Sequence, residues 1–232
     1  MTAAIILAGG MGTRLRSAVP DLPKPMAPIN GRPFIEHQLD YWIDQGVNRF
    51  VLSVGYKKEV IMDHLGSSYR STPLTYAIED EPLGTGGGLL LAAQRMNEPF
   101  LVLNGDTFFE VNLAELLKFH TNNSADWTFS LFRTSEVGRY MGIDVHSDGE
   151  IASLKSGTAE MGRLANGGVY LVNPSVMGDR AFLSGIKLSL EDDLLPALVV
   201  QGYKLFGLEF LGTFIDIGVP QDYFRAAKIL AD

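Results

Sequence analysis

The sequence predicts an α/β fold, a single domain built on a mostly parallel mixed sheet with helices on both faces. Three observations predict it. The chain opens on a continuous apolar run, Thr2 to Ala8, which reads as a strand buried on both sides rather than an alternating, half-exposed one. Strand-like and helix-like runs then alternate as β-α-β-α-β-α-β through Leu103. Finally, 232 residues with 46% hydrophobic content suit one sizeable core, and no linker, repeat or low-complexity tract divides them.

Each element has its own reason. Gly9 to Pro33 is a long loop carrying five prolines, and its apolar Leu15, Leu22, Met26 and Ile29 predict that it is ordered. Phe34 to Gln45 is a helix, because Phe34, Ile35, Leu39, Trp42 and Ile43 recur near helical spacing and Gly46 supplies a stop. Arg49 to Val54 is a strand, Lys57 to Leu65 a helix and Leu74 to Ile78 a strand. Gly84 to Met96 is a helix whose first turn is glycine and threonine. Phe100 to Leu103 is a short strand that runs into Asn104-Gly105-Asp106.

The second half is less regular. Leu113 to His120 is a helix and Trp127 to Phe132 a strand, and Gly142 to Lys155 is a hairpin about Ser147-Asp148-Gly149, with Asp-Gly as turn residues. Gly168 to Val172 is a strand, Leu190 to Val200 a helix interrupted near Pro196, and Leu205 to Phe210 and Thr213 to Asp216 are strands. Pro220 to Leu230 is a closing helix with proline at its start.

Composition excludes several classes. Lys+Arg 19 against Asp+Glu 27 gives a net charge of −8, with no basic stripe for nucleic acid. No apolar run reaches membrane-span length and no signal peptide opens the chain, so no membrane partner is expected. The absence of cysteine excludes disulfides and thiolate metal sites and fits a reducing, cytoplasmic location. Oligomeric state is not written in the sequence; a homo-oligomer is one arrangement it allows.

In that acidic background, Arg14, Arg16 and Lys24 form a local cationic cluster suited, if they converge, to a small polyanion. They accompany Leu7-Ala8-Gly9-Gly10-Met11-Gly12-Thr13, where glycines let backbone N–H groups close on phosphate oxygens. The loop lacks the Gly-Lys-Ser/Thr ending of a P-loop and the glycine spacing of a dinucleotide fingerprint. In an open parallel sheet, ligands gather at the carboxyl ends of strands, where this loop, the glycines after Glu79 and Asp106 all fall. Asp106 and Asp216, each among apolar residues and close to a glycine, are candidate Mg2+ ligands, since Mg2+ takes one or two carboxylates plus phosphate and water. Plainer alternatives stand beside each: solvated arginines, a tight turn, turn or N-cap aspartates. His37, His64, His120 and His146 fall on helices or the hairpin and read as structural.

The runs Leu7 to Leu15, Pro23-Lys24-Pro25-Met26, Pro82-Leu83-Gly84-Thr85-Gly86-Gly87, Asn104-Gly105-Asp106, Asn166-Gly167-Gly168-Val169-Tyr170 and Phe214-Ile215-Asp216-Ile217-Gly218 resemble the sugar-1-phosphate nucleotidyltransferases, essentially end to end. Pro25 to Asn30 and Ile215 to Pro220 look like the branch acting on D-glycero-D-manno-heptose 1-phosphate with GTP. The resemblance implies a Rossmann-like three-layer sandwich with a sugar-binding hairpin or lid region around 133–170. It implies a Mg2+-dependent transfer of a nucleoside monophosphate from a nucleoside triphosphate to a sugar 1-phosphate, feeding surface-polysaccharide assembly. It further implies that Arg14 and Lys24 are catalytic and that Asp106 and Asp216 hold Mg2+. Leu7, Ala8, Gly9, Gly10, Gly12, Thr13, Glu79, Gly84 and Thr85 would bind the nucleotide, and Gly142, Lys155, Asn166 and Glu191 the sugar phosphate.

Two departures touch those assignments. Lys155 reads Leu154-Lys155-Ser156 where the family commonly has Glu before and Pro after, and Met141 separates Tyr140 from Gly142. Asn166 and Glu191 also admit turn and helix-first-turn readings. Glu79 leans toward guanine, whose N1 and N2 donors match a carboxylate's two acceptors, whereas uracil or thymine suits an amide better. The alternatives are therefore a uridylyl- or thymidylyltransferase acting on a hexose 1-phosphate, and a non-catalytic nucleotide-sensing domain. The four charged residues Arg14, Lys24, Asp106 and Asp216 count against the latter. A C-terminal β-helix domain is not expected after the last helix.

Overall fold

A computed structural model of the chain describes residues 2–155, 161–178 and 185–231. The first half comprises β1 (Thr2–Leu7), β2 (Pro28–Ile29), β3 (Arg32–Pro33), α1 (Phe34–Asp44), β4 (Val47–Val54), α2 (Lys58–Leu65), β5 (Ser68–Tyr69), β6 (Thr72–Ile78), α3 (Gly84–Ala93) and β7 (Phe100–Asn104). Then follow β8 (Thr107–Phe109), α4 (Leu113–Asn122), β9 (Trp127–Arg133), β10 (Gly142–Val145), β11 (Ile151–Lys155) and β12 (Leu164–Val172). α5 (Leu195–Val200), β13 (Leu205–Glu209), β14 (Phe214–Asp216) and α6 (Pro220–Ile229) close the chain.

Ten strands form one mixed sheet in the order β11-β10-β12-β7-β1-β4-β6-β5, with β9 pairing β12 and β13 pairing β9. Its centre, β7-β1-β4-β6, is parallel throughout. β12 lies antiparallel to both β7 and β9, with a register shift between Asn166 and Tyr170. Successive β1 residues feed opposite layers, as a strand's period of two requires. Ala4 and Ile6 join the core under α1 and α2, while Ala3 and Ile5 join the core under α3 and α5. Both layers are dry, so the continuous apolar reading of Thr2 to Ala8 holds. Truncating one such side chain, Leu52 for instance, costs about 2–5 kcal/mol. α3 is apolar around its circumference and accordingly buried.

Several expected boundaries move, each for a physical reason. Beyond the main sheet, β8 pairs antiparallel with β14, forming a ribbon that carries Asp216. Three-residue strands give no alternation to read. Leu190 to Val200 is not a helix broken at Pro196: a π-helical turn at Leu190–Leu194 passes into α5, with Pro196 in that helix's first turn, where no N–H is needed. The expected hairpin forms as β10 and β11, with Gly149 at φ 90° in its turn.

The proline-rich loop is ordered. Leu15, Val19, Ala27 and Ile29 pack with Phe34, Phe108, Ile215, Ile217 and Ala226 in a third cluster that joins the loop to the ribbon and α6. Met26 enters the main core, whereas Leu22 stays exposed. Among the described residues no helix is long and apolar enough to cross a membrane.

Candidate active site

The carboxyl ends of β1, β4, β6 and β7 deliver their following residues to one cavity of about 450 Å3. That size is ordinary for a small-molecule site. Leu7, Ala8, Gly9, Gly10, Arg14, Lys24, Glu79, Gly84, Thr85, Asp106, Asn166, Glu191 and Asp216 all line it. Segments distant in the sequence and singled out there thus meet at one cavity.

Gly10 opens onto free space, with no heavy atom within 4 Å of where a Cβ would stand. Packing within the protein does not demand glycine there, which is consistent with backbone kept clear for a ligand. Gly12 has a different task. It adopts φ 62°, and a Cβ would meet Lys24 Cγ at 2.7 Å, so it makes room for the Lys24 stem. Gly12 and Thr13 do not line the cavity. Of the three cations, Arg14 and Lys24 converge on the cavity, while Arg16 lies over the Tyr56 ring at 5.3 Å.

Lys24 Nζ donates to Asp106 Oδ2 at 2.7 Å, with the two side chains only 15% and 27% exposed. Asp216 accepts from the Gly218 amide through Oδ1 at 2.6 Å and from Arg139 Nη2 through Oδ2 at 3.3 Å. Burial raises the Asp216 carboxyl above its ordinary range, and the charge of Asp106 raises it further. The two acids thus share a space that wants a cation. A Cβ on Gly218 would lie 2.7 Å from Asp216 Oδ1 and 3.5 Å from Asp106 Oδ2, so glycine keeps the gap between the carboxylates open. Among the described residues no cluster of three or more acidic, histidine or cysteine ligands forms. Two all-oxygen ligands with open positions suit Mg2+ completed by phosphate oxygens and water.

Arg139 was missed as a site residue. An arginine in a polar loop looks solvated, yet its side chain is 16% exposed and lines the cavity. It donates to both the carbonyl and the carboxylate of Asp216, pairs with Glu136 and the buried Asp222, and lies over Tyr140. Asp222 stands in the first turn of α6, so Arg139 couples that helix to Asp216. Lys187 also lines the cavity and was not anticipated.

Glu79 is buried rather than solvated. Its Oε1 accepts from Ser53 Oγ and its Oε2 from the Leu83 amide, both at 3.0 Å. Cβ atoms at Gly9 and Gly88 would stand 2.3 and 2.7 Å from Oε1, so glycines wall this carboxylate. Each oxygen retains a lone pair for a further donor. The glycines beginning α3 serve close approach as well: Leu188 O accepts from the Gly86 and Gly87 amides, and a Cβ on Gly84 would lie 2.5 Å from it. The Thr85 hydroxyl accepts from the Leu190 amide, which fixes the 186–190 segment over the cavity.

Asn166 also lines the cavity, its side chain engaged by Tyr170 and the Gly168 amide. Glu191 is held above the usual carboxyl range by burial and by the charges of Asp192, Asp106 and Asp216, with Arg14 opposing. Gly142 does not line the cavity; the extra residue Met141 does, beside Tyr140. The Lys155 side chain lies outside the described residues, and its backbone pairs with Gly142. No histidine lines the cavity: His37 meets Ile29 O, His64 meets Glu36, His120 is buried against Thr128 and His146 is exposed.

The nucleotidyl transferase family model matches residues 3–232. The chain is 40% identical to a D-glycero-alpha-D-manno-heptose 1-phosphate guanylyltransferase of Aneurinibacillus thermoaerophilus, over 98% of this chain and 97% of that one. It is 37% identical to the enzyme of the same name from Campylobacter jejuni, over 96% and 97%. Among solved structures it is similar to HddC from Yersinia pseudotuberculosis, at 33% identity with a TM-score of 0.87 over the full length of both chains. HddC complexed with GMP-PN superposes with a TM-score of 0.86. This chain belongs to the nucleotidyl transferase family.

Proposed function

We propose that the protein transfers GMP from GTP to D-glycero-alpha-D-manno-heptose 1-phosphate, forming GDP-heptose and releasing pyrophosphate. The observation that carries the reading is the convergence of Lys24, Arg14, Asp106 and Asp216 on the cavity that the glycine loop also lines. A sugar-phosphate oxygen attacks the α-phosphorus, and the bond from that phosphorus to the pyrophosphate oxygen breaks. Two anions must meet, so the protein aligns them and offsets charge. A phosphate monoester is already ionised near neutral pH, so no general base is needed, consistent with a cavity lined by no histidine.

Arg14 and Lys24 bind the triphosphate. Asp106 and Asp216 would hold Mg2+, which would offset charge on the transferring and leaving phosphates. Glu79 accepts from the guanine edge. Asn166, Glu191 and Lys187 stand toward the sugar phosphate, and the described residues of 133–170 form the sugar-side lid of a single domain; Tyr140, Met141 and Gly168 on the cavity wall support that assignment. GTP and the heptose are supported by the names of the full-length relatives and by the GMP-PN complex of HddC. The enzyme is placed in the cytoplasm, where a cysteine-free chain and these substrates belong together.

A pyrophosphate-release assay of five nucleoside triphosphates against a panel of sugar 1-phosphates tests the reading. GTP with the heptose gives the highest kcat/KM. Turnover with UTP and none with GTP rejects the guanylyl assignment, and tight nucleotide binding without turnover identifies a sensor.

A further inference from the structure

α1 carries a polar residue on its buried stripe. Phe34, Ile35, Leu39 and Trp42 face the core, and Gln38, only 1% exposed, faces it with them. Its carboxamide nitrogen donates to Asn104 O at 2.8 Å and to Thr107 O at 2.5 Å. Those carbonyls flank the Gly105-Asp106 turn on both sides. The orientation is dictated by chemistry: both neighbours are acceptors, so the amide nitrogen must face them and a flipped oxygen would be repelled by both. In consequence Gln38 Oε1 is buried with no hydrogen-bond partner among the described residues. A buried acceptor left unpaired costs about 1–3 kcal/mol. An apolar residue of similar size would avoid that cost but would take the donor away from both the Asn104 and Thr107 carbonyls, so glutamine gives up one side-chain acceptor to hold the two main-chain ends of this turn.

The same helix holds the other partner of the ion pair. Its first amide, Phe34 N, donates to Ala27 O, and the His37 ring meets Ile29 O, which anchors the strand of chain that follows Lys24. Farther along, the Tyr41 hydroxyl donates to Val111 O and Gln45 Oε1 accepts from Leu113 N. α1 is therefore a rail with the Lys24 loop on one side and the 104–113 segment on the other. Gln38 is its contact nearest Asp106.

We propose that Gln38 is a positioning residue for the metal site. Its amide clamps both ends of the Asp106 turn, fixing where the Asp106 carboxylate stands relative to Lys24 and Asp216. The inference rests on the proposed metal-binding role of Asp106. Loss of the Gln38 amide acts on metal binding and turnover in the folded protein, beside the stability cost of two carbonyls losing their donor.

Gln38→Met keeps the length and removes the donor; Gln38→Glu keeps the shape and sets an acceptor against two acceptors. Gln45→Met removes another rail contact, away from the turn, and controls for general loosening of α1. Mn2+ binding in the presence of a non-hydrolysable GTP analogue is read by electron paramagnetic resonance, alongside kcat, KM for GTP and Tm. Gln38→Met weakens Mn2+ binding about fivefold or more and lowers kcat about tenfold, with KM for GTP changed less than threefold. Gln38→Glu is worse in both, and Gln45→Met matches the wild type in both at a comparable Tm. Wild-type Mn2+ binding and kcat in folded Gln38→Met overturn the proposal, whether or not Gln38→Glu folds. Asp106→Asn separates the two levels: if it abolishes Mn2+ binding while Gln38→Met leaves it intact, positioning alone is wrong. If Asp106→Asn binds Mn2+ normally, the metal reading itself falls.

Discussion

Replacing Lys24 by methionine isolates the work of one ammonium group. The lysine stem lies across Gly12, close enough that a Cβ there would stand 2.7 Å from Cγ, and methionine retains most of that packing. What disappears is the donor 2.7 Å from Asp106 Oδ2. Asp106 then faces Asp216, whose carboxyl is already pushed up by burial and by its neighbour, with one cation fewer. The pair is neither exposed nor sealed, so its loss costs roughly 1–3 kcal/mol, between the surface and buried limits. For a chain of this length that lowers Tm by several degrees. The effect on chemistry is larger, because a preorganised donor to a reacting oxyanion contributes about 2.7–4 kcal/mol, or a factor of about 10²–10³ in kcat. Pyrophosphate release under saturating GTP, sugar phosphate and Mg2+ measures it, with Tm and circular dichroism confirming the fold. A folded Lys24→Met enzyme with kcat within threefold of the wild type refutes the argument that this ammonium stabilises the transferring phosphoryl group.

Other outcomes follow from the same geometry. Glu79→Gln keeps the fold, since the new amide can donate to Ser53 Oγ while its oxygen accepts from Leu83 N; kcat/KM for GTP falls roughly 10–100-fold, the loss of one charged acceptor. Unchanged preference for GTP over UTP would show that another group reads the base. Gly105→Ala puts a Cβ 2.4 Å from Leu7 O, a backbone atom that cannot yield without moving β1, so the variant loses about 1–3 kcal/mol in denaturant titrations together with most of its turnover. A wild-type midpoint and rate would contradict that packing. Stability also carries a histidine signature. Burial holds the His120 pKa below its ordinary value near 6.5, so this contribution is complete above pH 6.5 and is lost as pH falls below it, where the unfolded chain takes up the proton first. The slope is at most about 1.4 kcal/mol per pH unit. Thermal melts from pH 7.5 to 5.5 should fall more steeply for the wild type than for His120→Gln, and parallel curves would remove His120 from the account.

The sequence made the parallel centre legible because a strand buried on both faces is a run of apolar residues, as in Thr2 to Leu7 and Phe100 to Asn104. The paired acids were legible too, since Asp106 and Asp216 are charges stranded among apolar neighbours near glycines. What escaped depends on tertiary contact. β8 is three residues long, too short for periodicity, and its pairing with β14, which lies within the expected Thr213 to Asp216 strand, brings Asp216 to Asp106. Arg139 looked like a loop arginine because only the fold supplies Asp216, Glu136 and Asp222 around it. Glu79 was named for the nucleotide, but its burial was not legible, because its partner Ser53 and the Gly9 and Gly88 walls come from three separate segments. Gln38 did leave a trace: a glutamine on an otherwise apolar helical stripe is a local inconsistency, and such inconsistencies tend to mark positions under functional constraint.

In guanylyl transfer the α-phosphorus of GTP, with its guanosine, passes to the sugar phosphate. GTP labelled at the α-phosphorus, incubated with D-glycero-alpha-D-manno-heptose 1-phosphate and Mg2+, should pass its label into a nucleotide sugar while the β- and γ-phosphates leave together as pyrophosphate. Label recovered only in GTP or in free GMP, with no nucleotide sugar formed, would contradict the account.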